Sequence, residues 1–135
     1  MKTILPSNNN LRYMGRIDRS VPDAPVFYWP GSLVQFRFTG TSVQFQIENH
    51  SFDAGNGNGL TLGFLLDGKE GALELSPEND SVQTVTVSAP DAGMHSIRLW
   101  KRQDGPHYFK LRGVLTEDKG EILPLELPEL KIEAY

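Results

Sequence analysis

The sequence WPGSLVQFRFTGTSVQFQI, residues 29–47, decides the fold class of this 135-residue chain. Apolar and polar residues alternate in two runs within it, on either side of the short segment TGTS at 39–42. Strict alternation places one set of side chains on each face of a β-strand. We therefore predict a β-hairpin with one buried and one solvated face. The residues predicted to be buried are Val34, Phe36, Phe38, Val43, Phe45 and Ile47.

The same alternation recurs along the rest of the chain, and a helical repeat of 3.6 residues is hard to find. An apolar run at 60–66 leads into Asp67-Gly68, a dipeptide typical of two-residue hairpin turns, and 70–75 is predicted to be its return strand. Further strands are predicted at 82–87, 94–102 and 107–115. Short strands separated by turn signals are typical of a sandwich or barrel. We predict an all-β fold, a jelly-roll-type β-sandwich of eight or nine short antiparallel strands.

The end of the chain has a different pattern. Pro124 and Pro128 interrupt it, and proline suits an extended connector better than a central strand. We predict a sandwich domain over residues 1–120. Residues 121–135 are then a proline-containing connector and the start of a strand that leads into another domain. An ordinary C-terminal edge strand is an equally open interpretation.

Charge and composition exclude several classes of partner. The net charge is −4, and the acidic excess lies in residues 117–135, so the body of the chain is neutral. Nucleic-acid binders need a concentrated basic surface, and a membrane span needs about 20 apolar residues, so neither partner is expected. Residues 1–10 lack the apolar run of a complete signal peptide. Both a secreted and a cytoplasmic location in a bacterium stay open.

No catalytic or metal-binding motif stands out. The chain has no cysteine and no GxSxG elbow, and its three histidines are scattered without zinc-ligand spacing. The segment SFDAGNGNG, residues 51–59, has some of the oxygen ligands of calcium loops but few carboxylates, so a Gly/Asn-rich loop is the preferred interpretation. We predict no catalytic residue, no metal site and no cofactor.

The segments 94–102 and 107–115 suggest a binding surface. If they pair as a hairpin, one face buries Ile97, Leu99, Phe109 and Leu111. The other face then presents Arg98, Trp100, Tyr108, Lys110 and Arg112. Aromatic side chains among cations could stack on a sugar ring or receive a neighbouring domain. In the alternative interpretation, Trp100 caps the edge of the sandwich beneath Arg98 or Arg112 in a cation–π contact.

Tyr28 and Trp29 form a second candidate surface. They precede Pro30-Gly31 at the entrance of a predicted strand, where side chains can project from the rim of the sandwich. Such aromatic residues could serve as a sugar platform. They could equally plug the open end of the sandwich, an interpretation that we slightly favour.

Several short motifs resemble the N-terminal domain of family 2 carbohydrate esterases. They are MGRID (14–18), WPGS (29–32), FTGTS (38–42), LDG (66–68), GMHSIRL (93–99) and LKIEAY (130–135). The resemblance spans nearly the whole chain and is carried by the order and spacing of the motifs. It implies a small jelly roll that precedes a hydrolase domain of the SGNH/GDSL type.

The resemblance also implies a functional context. The family removes acetyl groups from plant polysaccharides such as xylan or glucomannan, and its catalytic residues belong to the hydrolase domain. No position of this chain matches those residues. The expected role is therefore a non-catalytic accessory domain whose partner is a C-terminal SGNH hydrolase domain of the same protein. An independent carbohydrate-binding module and a protein-interaction sandwich are the alternatives.

Overall fold

The chain forms two antiparallel sheets packed face to face. The computed structural model describes residues 2–27, 31–51, 61–75, 82–101 and 107–124, without the side chains of Ser51 and His107. The strands of the described residues are β1 (Lys2–Ile4), β2 (Arg12–Met14), β3 (Ile17–Asp18), β4 (Val26–Phe27), β5 (Leu33–Thr39), β6 (Ser42–Ser51), β7 (Thr61–Leu66), β8 (Lys69–Glu74), β9 (Val82–Ser88), β10 (Met94–Lys101), β11 (His107–Thr116) and β12 (Ile122–Leu123).

The first sheet has the order β3-β4-β11-β6-β9, and β1 pairs with β11. The second sheet has the order β12-β5-β10-β7-β8, and β2 pairs with β5. The predicted all-β sandwich is confirmed. The two- and three-residue strands of the N-terminal part were not predicted, because they are too short for alternation to be recognised. The described part of the chain contains no helix with the length and hydropathy that a membrane crossing needs.

The hairpin predicted for residues 29–47 is wrong, although its burial pattern is right. Strands β5 and β6 lie in different sheets and do not pair with each other. The chain crosses between the sheets at Gly40, whose φ of 123° disfavours any residue with a Cβ. Hydrogen bonds to two distant parts of the chain stabilise this crossing. The Gly40 N–H donates to the carbonyl of Gly93, and the Thr41 N–H donates to the carboxylate of Glu117.

The core fills the space between the two sheets. All six residues predicted to be buried from the opening stretch are fully buried there, three from each sheet. The rings of Phe36 and Phe45 meet across the sandwich, with 6.0 Å between their centroids. Each buried aromatic or branched side chain contributes about 1.5–3 kcal/mol through removal from water. This burial, rather than any cross-link, accounts for the stability of a chain that has no cysteine.

The hairpin predicted at Asp67-Gly68 is confirmed. Strands β7 and β8 pair in register on either side of it. The φ values of Asp67 and Gly68 are 49° and 85°, so both central residues are left-handed, as a type I′ turn requires. The right-handed twist of the two strands favours this turn over the common type I.

Burial along β11 follows the predicted parity only as far as Leu111. Phe109 and Leu111 are buried as expected, but the pairing with β6 shifts register between Leu111 and Gly113. An extra residue at such a β-bulge reverses which side chains face inward. Val114 is therefore buried, whereas Leu115, which shares the parity of Leu111, is only partly buried.

The sandwich continues past the predicted domain boundary at residue 120. Strand β12 pairs with β5, and Ile122 belongs to the core. The later part of the predicted connector, residues 125–135, lies outside the described residues. The loop at 52–60 and the candidate residues Tyr28 and Trp29 lie outside them as well.

Candidate functional site

Segments 94–102 and 107–115 do not pair with each other, so the candidate surface that depended on this pairing is divided. Strand β10 lies between β5 and β7 in the second sheet, whereas β11 lies between β4 and β6 in the first. The core residues expected from both segments are buried, because each strand turns its apolar side toward the facing sheet. Arg98 and Trp100 consequently lie on the outer face of one sheet, and Tyr108 and Arg112 on the outer face of the other.

Trp100 lies against its own sheet. Its indole ring occupies the space where a side chain at Gly63 on β7 would be, within 2.6 Å of the position of such a Cβ. Gly63 is its cross-strand neighbour on one side, and Leu33 is its neighbour on the other. The ring is half-buried and covers the backbone of β7 at Gly63.

Two arginines on the same outer face as Trp100 contact neutral acceptors. The Nε of Arg98 donates to Oε1 of Gln35 at 3.3 Å, and Nε of Arg37 donates to the carbonyl of Pro124 at 2.8 Å. Gln35 is only 6% exposed, and its Nε2 lies 3.2 Å from the sulfur of Met14. This outer face therefore combines guanidinium groups with tryptophan and methionine, a composition enriched at protein interfaces.

Tyr108 and Arg112 belong to a charged cluster centred on Glu48 of β6. The ring of Tyr108 stacks in parallel on the ring of His50, with 4.7 Å between centroids and 4° between planes. The carboxylate of Glu48 accepts from Arg112 Nη1 at 2.7 Å and lies 2.5 Å from His50 Nε2 and 3.9 Å from Lys110 Nζ. The β11 residues of this cluster were candidates from the sequence, whereas their partners on β6 were not.

The electrostatics of this cluster favour an ionised Glu48. Partial burial of the carboxylate works to raise its pKa. The hydrogen bond from His50 and the charges of Lys110 and Arg112 outweigh this effect and hold the pKa below its usual value. The cluster thus presents a fixed carboxylate with an adjoining aromatic pair, groups that can hydrogen-bond and stack on a sugar ring.

A second carboxylate–histidine pair joins two turns and has a structural role. His95 Nδ1 lies 2.5 Å from Oδ2 of Asp67, and Nε2 lies 2.9 Å from the carbonyl oxygen of Asp91. Both ring nitrogens are engaged, so neither is left to activate a nucleophile. Within the described residues, no group of three or more acidic, histidine or cysteine side chains could hold a metal ion.

The described surface also has a polar groove of about 320 Å³, which the sequence analysis did not predict. We call it the N-terminal groove; its lining residues are Asn8, Asn9, Asn10, Leu11, Arg12, Tyr13, Arg19 and Pro124. The hydroxyl of Tyr13 donates to the carbonyl of Pro6 at 2.8 Å, and burial raises the pKa of Tyr13 well above its usual value. The guanidinium of Arg19 lies 4.8 Å from the centre of the Tyr13 ring. The run of three asparagines at 8–10 is a sequence signal for the turn in its wall.

Comparison with known proteins places these features in context. A family model described as Carbohydrate esterase 2 N-terminal matches residues 13–125. A family two carbohydrate esterase from Clostridium thermocellum in complex with cellohexaose is 27% identical, with a TM-score of 0.71 over 87% of this chain and 34% of that chain. Comparison with curated proteins finds no match.

Two further solved structures are similar in fold. An acetyl xylan esterase from the rumen bacterium Butyrivibrio proteoclasticus is 13% identical, with a TM-score of 0.73 over 96% of this chain and 35% of that chain. The carbohydrate-binding module CBM36 in complex with calcium and xylotriose is 11% identical, with a TM-score of 0.60 over 85% of this chain and 98% of that chain. This chain spans about a third of the length of both esterases and nearly the whole of the binding module.

Proposed function

Because the chain belongs to the Carbohydrate esterase 2 N-terminal family, we propose that it is the non-catalytic accessory domain of a two-domain carbohydrate esterase. The family match over residues 13–125 is the observation that carries this proposal. Its partner is a C-terminal hydrolase domain of the SGNH/GDSL type in the same protein. The whole enzyme removes acetyl groups from plant polysaccharide, and the catalytic serine and histidine belong to the partner domain.

The outer face of the second sheet is the proposed contact surface for that partner. Strand β12 belongs to this sheet, and the residue that follows it, Pro124, accepts a hydrogen bond from Arg37 through its carbonyl. A domain that follows is therefore tethered near Arg37, on the sheet whose outer face also carries Arg98 and Trp100. Tyr28 and Trp29 stay candidates for the same contact or for sugar binding.

The first prediction concerns catalysis. The purified 135-residue chain should release no nitrophenol from nitrophenyl acetate above a heat-denatured control, because the proposal assigns the activated nucleophile to the partner domain. Release is measured by absorbance, with an active esterase as positive control. Turnover above the heat-denatured control would contradict the proposal.

The same proposal makes a statement about the gene. The coding sequence after Tyr135 should continue into a Gly-Asp-Ser-type motif and an SGNH domain. A stop codon at that point would contradict the two-domain architecture while leaving the fold and family unchanged.

An independent carbohydrate-binding module is the second candidate function. The stacked pair of Tyr108 and His50 favours it, since aromatic rings on a flat sheet face offer a platform for a sugar ring. The fold similarity to a binding module agrees with it.

Affinity electrophoresis in soluble xylan and glucomannan tests this second function. If Tyr108 binds sugar, the chain should be retarded in at least one gel, and Tyr108→Ala should weaken that retardation about tenfold, the effect of losing a stacking contact and its buried area. Val21→Ala, an exposed apolar residue that belongs to neither sheet, is the control for the surface change. Unretarded migration in both polysaccharides would rule out binding of these ligands.

A further inference from the structure

The N-terminal groove contains two guanidinium groups without carboxylate partners in the described part of the chain. The described ion pairs involve neither Arg12 nor Arg19. The nearby carboxylate of Asp23 accepts from the backbone N–H of Ser7 at 3.1 Å instead. Arginine presents a planar fork of donors that matches a carboxylate, so these two groups leave unused capacity for an anion.

The guanidinium of Arg19 is held in a defined place. It lies over the ring of Tyr13. The hydrogen bond from the Tyr13 hydroxyl to the carbonyl of Pro6 fixes the position of this ring. A cation on an aromatic face loses less conformational freedom on binding than one on an unsupported stem. The groove thus has one cation positioned in advance, and the second extends from β2 beside it.

The wall of the groove is a turn of three consecutive asparagines. The Asn8 N–H donates to the carbonyl of Leu5, the Leu11 N–H donates to the carbonyl of Asn8, and the Asn10 N–H donates to Oδ1 of Asn8. The amide of Asn10 donates to the carbonyl of Ile122 at 3.0 Å, which ties the turn to the end of the sandwich. The side chain of Asn9 is exposed at the tip of this turn, where its amide can donate to and accept from a hydroxyl.

We propose that the N-terminal groove binds a carboxylated sugar residue, a hexuronate carried by a plant polysaccharide. Arg12 and Arg19 receive the carboxylate, and the asparagine turn hydrogen-bonds the ring hydroxyls. The carbohydrate class of the ligand rests on the proposed function, whereas the requirement for a carboxylate rests on the two arginines. Because the chain as a whole carries a net charge of −4, general attraction to a polyanion does not produce such binding.

Affinity electrophoresis of the 135-residue chain in two matched gels tests this proposal. One gel contains soluble glucuronoxylan, and the other contains the same polysaccharide after chemical reduction of its carboxyl groups to alcohols. Mobility in each is normalised to a gel without polysaccharide, and circular dichroism establishes that every variant is folded. The readout is the difference in retardation between the two gels, so binding of neutral sugar at Tyr108 does not mimic it.

Greater retardation in glucuronoxylan is the expected result. Arg12→Gln and Arg19→Gln should each weaken this carboxyl-dependent binding about tenfold or more, as the loss of a hydrogen bond to a charged group does. Lys119→Gln removes the same charge from an exposed turn outside the groove and should leave the carboxyl-dependent binding unchanged. Added salt should weaken the binding, because the contact is ionic.

Three outcomes would overturn the proposal. They are equal retardation in both gels, carboxyl-dependent retardation that survives both arginine substitutions, and competition by inorganic phosphate as strong as that by free glucuronate. The last would identify a general anion site instead of a site for a carboxylated sugar. None of these outcomes affects the nitrophenyl acetate test or the gene structure, so failure here is distinct from failure of the proposed function.

Discussion

Replacing Phe109 with alanine is expected to lower the free energy of unfolding by about 3–5 kcal/mol, the range for truncating a buried aromatic side chain. Phe109 is 0% exposed, and its ring stacks on Phe27 with 4.4 Å between centroids and 12° between planes. The substitution removes the buried apolar area, leaves a cavity and ends this contact. The contact between the two rings joins β11 and β4, which pair directly at Phe109 and Phe27.

Urea denaturation followed by circular dichroism measures this effect. Leu5→Ala is the control, because Leu5 is 55% exposed and truncating it should change the stability by no more than about 0.5 kcal/mol. A loss of this size can exceed half the stability of a small domain, so Phe109→Leu, with a smaller loss, keeps the test measurable if the alanine variant does not fold. A Phe109→Ala loss no greater than that of Leu5→Ala would show that the described core packing is wrong.

The second large effect is expected from the pair formed by Asp67 and His95. His95 is only 4% exposed, and its ring packs against Phe38 with 5.5 Å between centroids. Asp67 also accepts the backbone N–H of Ser96 at 2.9 Å. The pair thus fastens the β7–β8 turn to β10, and Asp91 on the turn before β10 supplies the remaining contact of the ring.

The pKa shifts of the two groups have opposite directions. The hydrogen bond to Asp67 raises the pKa of His95 above 6.5, outweighing the effect of burial. For Asp67, burial works to raise the pKa, but the hydrogen bonds from His95 and Ser96 hold it below 3.8. The raised pKa of His95 contributes stability that is complete below pH 6.5. This contribution is lost as the pH rises through the pKa that His95 has in the folded protein. The lowered pKa of Asp67 contributes stability that is present above pH 3.8. This contribution is lost as the pH falls through the pKa that Asp67 has in the folded protein. The contribution of the pair is therefore largest between these two limits.

Asp67→Asn is the substitution that tests this pair, because asparagine tolerates the left-handed conformation of the turn, keeps one oxygen for the Ser96 N–H and removes the charged acceptor that faces His95. At pH 5.5 it should lower the free energy of unfolding by about 1.5–3 kcal/mol, the range for a hydrogen bond to a charged group. The difference from the unchanged protein should shrink when the urea titration is repeated at about pH 8.5. The same comparison in a His50→Gln background should give the same result, because the pair of His50 and Glu48 does not contribute to the difference. A difference that does not vary with pH would contradict an ionic contact.

The local pattern of the sequence was sufficient for the fold class. Alternation in 29–47 identified the buried side of β5 and of β6, and Asp67-Gly68 identified a turn whose two left-handed residues the structure contains. These properties depend on neighbours within a few residues, since alternation reflects which side of a strand faces water. The family resemblance likewise came from short motifs in a fixed order, and the match over residues 13–125 confirms it.

Strand pairing did not follow from the sequence. The expected hairpins of β5 with β6 and of β10 with β11 are both absent, because each chain segment crosses to the opposite sheet. Parity specifies a face of a strand but says nothing about which strand lies beside it. In a sandwich, two consecutive strands bury their apolar sides equally well whether they share a sheet or face each other. The bulge before Gly113 could not be predicted either, and it reverses which alternate residues of β11 face the core.

The candidate sites show the same division. Sequence alone determined that this chain is an all-β sandwich of a recognisable family, and it pointed to the aromatic and basic residues of β10 and β11. Only the tertiary structure separated Trp100 from Tyr108, brought Glu48 to Arg112, and placed the asparagine turn beside Pro124, more than a hundred residues away in the chain. The physical reason is that burial of apolar area is non-directional and is met by many arrangements, whereas a binding surface depends on the one arrangement of strands that also satisfies the turns and backbone hydrogen bonds.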